Sequence, residues 1–185
     1  MSDNPVTGSA TGPVPFTISA LPPDELRRIR ASRSDDFGNP FVPEIAETGG
    51  APLRCCLREC EPGEQIALIS YRPFPWLGPY AEAGPVFVHG EECGGYAVTS
   101  AYPEGFARRR QLLRAYDHGH RISDAIQAVN GEQAVQILSW LLVRPEIDFV
   151  HSRNVEWGCY MFSARLHVQP AAAAGVRRRL LEASR

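Results

Sequence analysis

Strand-like segments follow one another along most of this chain with little helix between them, and that succession narrows the fold more than any other feature. Leu53 to Cys60 alternates, with Leu53, Cys55 and Leu57 on one face and Arg54, Cys56 and Arg58 on the other. The turn Glu61-Pro62-Gly63-Glu64 leads into QIALISY (Gln65 to Tyr71), a near-continuous apolar strand. Further strands are expected at about 85–89, about 96–100 and 111–117. Ile147 to Ser152 and Cys159 to Val168 read as a hairpin joined by Arg153 to Gly158. Helical periodicity is confined to a few places. Gly131 to Val143 aligns Ala134, Ile137, Leu138, Leu141 and Leu142 on one stripe and is stopped by Pro145. A shorter helix starts at Pro22-Pro23-Asp24-Glu25 and runs to about Arg33, preceded by a short strand over Phe16 to Leu21. A helical turn is expected at 106–110. Strands that are mostly consecutive, with one long helix and one or two short ones, predict an α+β fold: a single domain built on a largely antiparallel sheet.

At 185 residues the chain is long enough for one well-buried core. Residues 1–15, rich in Gly, Pro, Ser and Thr, are expected to be a flexible arm. Residues 16–168 would form the domain, and 169–185 a partly helical or frayed tail. No apolar run approaches the roughly 20 residues of a membrane span. The net charge is −2 and the isoelectric point about 6.2, so no overall basic field would hold a nucleic acid or an anionic membrane. The N-terminus lacks the basic start and apolar stretch of a secretory signal. Five cysteines, an odd number, then fit reduced thiols and a cytoplasmic setting.

All 19 Lys+Arg residues are arginine, which excludes a lysine Schiff base, a pyridoxal phosphate aldimine and a phosphate-loop lysine. GxGxxG, GxSxG, HExxH and calcium-loop patterns are missing, and no cofactor is expected. His89-Gly90-Glu91 has the HxE form of zinc deaminases, but no PCxxC follows it. His118-Gly119-His120 reads as a turn.

Three kinds of chemistry remain. Cys159 as nucleophile, His151 as base and Asn154 as orienting group would make a cysteine-histidine-asparagine constellation, with Asp117 in support. Matching the apolar face Ile147, Phe149, His151 to Tyr160, Phe162, Ala164, Leu166 sends Cys159 to the opposite side, with Val150 and Ser152. A bulge near Gly158 would be needed to restore the pair. By the same strand-face logic, Cys56 or Cys60 should alkylate fast and Cys159 slowly. Arg54 and Arg114, with Tyr71, Tyr80 and His89, could instead bind a small anionic ligand, since strand-borne arginine suits bidentate carboxylate or phosphate recognition. A mixed zinc site from His89, Cys93, His151 and Cys159 has the HxxxC spacing of a Gly-flanked loop as its local support.

Four places carry a family likeness. They are Pro52-Leu53-Arg54 with Glu61-Pro62-Gly63-Glu64; Tyr71 with Pro79-Tyr80 and Phe87-Val88; Leu113-Arg114-Ala115-Tyr116-Asp117; and His151-Ser152-Arg153-Asn154 with Gly158-Cys159-Tyr160. Their order and spacing over about residues 16–168 resemble DUF1203, a bacterial family of unknown function. The resemblance implies domain extent, with no activity attached. Cys159 matches the family's Gly-Cys-Tyr. Cys55, Cys56 and Cys60 stand where that pattern has Val, Ser and Ala, which implies that those thiols are replaceable; His89 and Cys93 depart from it, so any role of those two would be restricted to a branch. The leading expectation is a small bacterial, cytoplasmic enzyme acting on a small polar or anionic molecule, with biosynthetic tailoring as its setting. The alternatives are a non-catalytic ligand-binding or interaction module and a zinc-binding protein.

Overall fold

The computed structural model describes residues 16–97 and 101–166. The expected arm (1–15), the tail, and the end of the strand expected at 96–100 lie outside the described residues.

The described residues form two five-stranded sheets, each backed by one helix. In chain order the elements are β1 (Phe16–Ser19), α1 (Pro23–Ser32), β2 (Glu44–Ile45), β3 (Pro52–Leu53), β4 (Arg58–Glu59), β5 (Gln65–Tyr71) and β6 (Gly84–His89). A 3₁₀ turn over Glu104–Phe106 precedes β7 (Gln111–Asp117), β8 (Ile122–Ala128), α2 (Gly131–Leu142), β9 (Ile147–Asn154) and β10 (Tyr160–Leu166). The first sheet runs β1-β10-β9-β7-β8 and is antiparallel throughout. The second runs β2-β5-β6-β3-β4, with β3 and β6 parallel through Leu53 and Phe87. The fold is α+β.

Local sequence explains both helices. At α2, Asn130 Oδ1 accepts the Gln133 N–H at 2.9 Å while Gln133 Oε1 accepts the Val129 N–H at 2.8 Å, a reciprocal cap. Its apolar stripe, Ala134, Ile137, Leu138, Leu141 and Leu142, is buried on the first sheet against Leu113, Ala115, Val150, Phe162 and Ala164. At α1, Pro23 and two acids begin the helix and Arg33, at φ 57°, ends it. Leu26 and Ile29 cover Leu53, Ile69, Val86 and Val88 of the second sheet.

Two strand expectations are corrected. Leu53 to Cys60 is a hairpin instead of one strand: Arg54 to Leu57 form its turn, and Leu57 takes the left-handed conformation at φ 55°. Arg54, expected on a polar face, is 1 % exposed, and Cys60 is buried as well. In the terminal hairpin, Phe162 lies opposite Ser152 and Ala164 opposite Val150, so they share the helix-facing side, whereas His151 faces away from α2. A bulge between Tyr160 and Phe162 turns Tyr160 onto the His151 side, where the rings meet at 5.1 Å. From Phe149 to Asn154, β9 is buried on both faces, so its hydrophobic pattern could not fix which side met which.

Candidate metal centre and the cleft beside it

The β3–β4 turn and the end of β6 put four soft donors in one place. Cys55 and Cys56 occupy the turn, His89 ends β6, and Cys93 follows in the next loop. The Arg54 N–H donates to the Phe87 carbonyl at 2.9 Å, pinning the turn against β6. One ligating atom from each residue lies within 4.8 Å of all the others. Cys55 Sγ is 3.3 Å and Cys56 Sγ 3.7 Å from His89 Nδ1, and the two sulfurs are 4.0 Å apart. A tetrahedral zinc with about 2.3 Å bonds to sulfur and about 2.05 Å to nitrogen requires donor separations of about 3.8 Å and about 3.5 Å. The separations among Cys55, Cys56 and His89 meet that requirement within a few tenths of an ångström, and the four-donor span of 4.8 Å is about 1 Å wider.

The surroundings would suit a metal-bound imidazole and thiolates. His89 Nε2 lies 3.4 Å from Glu64 Oε1, so a metal on Nδ1 leaves Nε2–H to donate to a carboxylate. Arg58 holds that carboxylate at 2.5 and 2.9 Å, and its hydrogen bonds, with the Glu61 N–H, bring the Glu64 pKa down to about 2. Each sulfur accepts a backbone N–H: Cys55 from His89 at 3.3 Å, Cys56 from Arg58, and Cys93 from Gly95, whose φ of 68° closes the loop. Without a metal, Cys55 hydrogen-bonds to Cys56, which raises the Cys55 pKa and lowers that of Cys56, while burial raises Cys93. A metal would replace those protons, since the thiolate is the ligand.

Next to this centre, where the two sheets meet, a cleft of about 300 Å³ is lined by Arg114, Arg153, Glu82, Tyr71, Cys159 and Trp157, among others. Arg54 links cleft and metal turn: its Nε donates to the Tyr160 carbonyl at 2.7 Å, its Nη1 to the Pro52 carbonyl, and its Nη2 to Cys159 Sγ at 3.0 Å.

A family model described as a protein of unknown function, DUF1203, matches residues 50–165. The chain belongs to the DUF1203 family. The DUF1203 match includes all four donors and the whole lining of the cleft; β1, α1 and β2 precede it. Neither the search of curated proteins nor that of solved structures gave a match.

This DUF1203 chain distributes the residues singled out from sequence as follows. His151, 2 % exposed, sits among Phe74, Tyr116, Phe149 and Tyr160 at ring distances of 4.9, 5.1, 4.8 and 5.1 Å, with no hydrogen-bond partner on Nδ1. Burial, then the charges of Arg153, Arg165 and Arg114, hold its pKa well below the usual histidine value. Cys159 has Arg54 on its sulfur instead of an imidazole. Asn154 Oδ1 accepts the Trp157 N–H at 2.8 Å and caps the β9–β10 turn. Asp117 caps the β7–β8 turn through Arg121 N–H at 2.8 Å and pairs with Ile147, whereas His151 pairs with Arg114. Arg114 and Tyr71 reach the cleft; half-exposed Tyr80 does not line it. His89 belongs to the metal cluster. The expected zinc quartet is thus divided: His89 and Cys93 stay together, and Cys55 and Cys56 take the places of His151 and Cys159. Sequence reasoning missed those two candidate donors, together with Arg153 and Glu82; the adjacent Cys55-Cys56 pair was the available signal.

Proposed function

We propose that this DUF1203 chain is a zinc-binding protein whose ligands are Cys55, Cys56, His89 and Cys93. The observation that carries the proposal is the cluster of four donor atoms within 4.8 Å, with the second nitrogen of His89 against Glu64. Three sulfurs and one imidazole form a soft, tetrahedral set suited to zinc. Four protein donors leave no position for a water, so the role is structural. The metal would tie the β3–β4 turn to the end of β6 and to the loop that carries Cys93. Three thiolates leave one surplus negative charge, and Arg58, 3.2 Å from His89 Nε2, is placed to balance it. Reduced thiols agree with a cytoplasmic setting.

The test is the metal content of protein purified without chelator from zinc-supplemented cells. About one zinc per chain is expected, with a fall to below about 0.1 in the C56S/C93S double variant. Wild-type protein that holds no zinc after such purification and binds none on titration would overturn the proposal.

A further inference from the structure

Beyond the metal, we infer that the cleft between the sheets binds the carboxylate of a small organic acid, with Glu82 standing in that place until the ligand arrives. Arg114 Nη1 and Arg153 Nη2 converge on the same oxygen of Glu82, at 2.6 and 2.5 Å. Two guanidinium groups share one carboxylate, which leaves a surplus positive charge facing the cleft. Arg153 is 4 % exposed and lines that cleft, yet it is under-used. Its Nη1 donates to the Gly158 carbonyl at 3.0 Å, its Nε has no acceptor, and its Nη2 meets Glu82 as an ion pair out of hydrogen-bond alignment. A buried guanidinium with donors left over is costly unless something else satisfies it. A carboxylate presents two oxygens to such a fork.

Glu82 has the character of a displaceable occupant. It is about half exposed and belongs to the Pro- and aromatic-rich segment between β5 and β6. Turn hydrogen bonds hold that segment locally, Ala81 N–H to the Gly78 carbonyl and Glu82 N–H to the Tyr80 carbonyl. Trp157, 83 % exposed, and Tyr71 supply aromatic walls, and a volume of about 300 Å³ admits a compact ligand. The arginines come from β7 and β9, paired interior strands of the first sheet, whereas Glu82 stands on a connecting segment, so the recognising groups are held by the sheet and the competitor by a loop.

The probe is benzoate, with neutral benzamide as the isosteric control, followed through the Nε–H resonances of Arg114 and Arg153 in ¹H–¹⁵N spectra of the full chain. Benzoate should give saturable shifts and benzamide none. E82Q should tighten benzoate about threefold or more by removing the competitor, and R114M should weaken it about tenfold. Circular dichroism would confirm that both variants are folded; both sites are partly exposed. Equal response to benzamide, an absence of saturable shifts, or weaker binding in E82Q would overturn the inference. Zinc content plays no part in this readout, so it stands or falls apart from the metal reading.

Discussion

Replacing His151 with phenylalanine should make the protein resist acid better than the wild type. The imidazole is enclosed by Phe74, Tyr116, Phe149 and Tyr160, and Nδ1 has no partner. Burial, reinforced by Arg153, Arg165 and Arg114, keeps the folded-state pKa well below the ordinary 6.5. The unfolded chain therefore takes up a proton at His151 below about pH 6.5 that the folded chain refuses. Stability is intact above that pH and falls as pH drops through it, at up to about 1.4 kcal/mol per pH unit, until the folded pKa is reached. Between about pH 7.5 and about pH 5 this one group accounts for a loss of at most about 2 kcal/mol, the ceiling set by the unfolded pKa. H151F abolishes that component. It also removes a buried nitrogen without a partner, so stability at about pH 7.5 should be equal or higher. Urea unfolding of both proteins at the two pH values measures the difference, free of the other histidines, which both proteins share. An equal loss in wild type and H151F would refute the reasoning, because it would mean that His151 is already protonated, or freely protonatable, in the fold.

Two further outcomes follow from buried charge and from the ligand shell. Asp35 is 6 % exposed and accepts the N–H groups of Phe37, Asn39 and Ser70 at 2.9, 2.9 and 2.8 Å; burial pushes its pKa up, but the hydrogen bonds from Asn39, Ser70 and Phe37 prevail and lower it. D35N should cost about 2–3 kcal/mol in denaturant melts, and the stability that wild type loses below about pH 4 should be missing from the variant's profile. E64Q leaves the four proposed ligands in place but weakens the acceptor on His89, so competition with a chromophoric chelator should show zinc held about 10- to 100-fold more weakly. Unchanged affinity would mean that Glu64 serves Arg58 and the Glu61 N–H and gives His89 no support.

Wherever one face of an element is dry and the other wet, the sequence was readable. The stripe of α2, the proline-acid start of α1 and the strands of β5 and β7 all appear where expected. β8 was not foreseen: ISDAIQA is a largely exposed edge strand whose Asp, Ser and Gln dilute the period-two signal. The alternation of Leu53 to Cys60 misled for a definite reason. In one strand, Cys55 and Cys56 would point to opposite faces and could not share a metal. The turn at Arg54 to Leu57 brings both thiols to the same side, and His89 and Cys93 arrive from more than thirty residues later. The HxxxC spacing was visible in sequence; the partners depended on the parallel pairing of β3 with β6, which no local pattern encodes. Arg54 looked like a surface ligand for anions because its strand neighbours alternate. Its burial follows from acceptors outside that strand, at Tyr160 and Cys159, about a hundred residues away.

X-ray absorption at the zinc edge of the purified full-length protein tests the metal centre most directly. The expected shell is three sulfurs at about 2.3 Å and one nitrogen at about 2.05 Å, with the outer imidazole atoms of a single histidine behind it. A shell dominated by oxygen or nitrogen, or one that survives unchanged in the C56S/C93S variant, would contradict it.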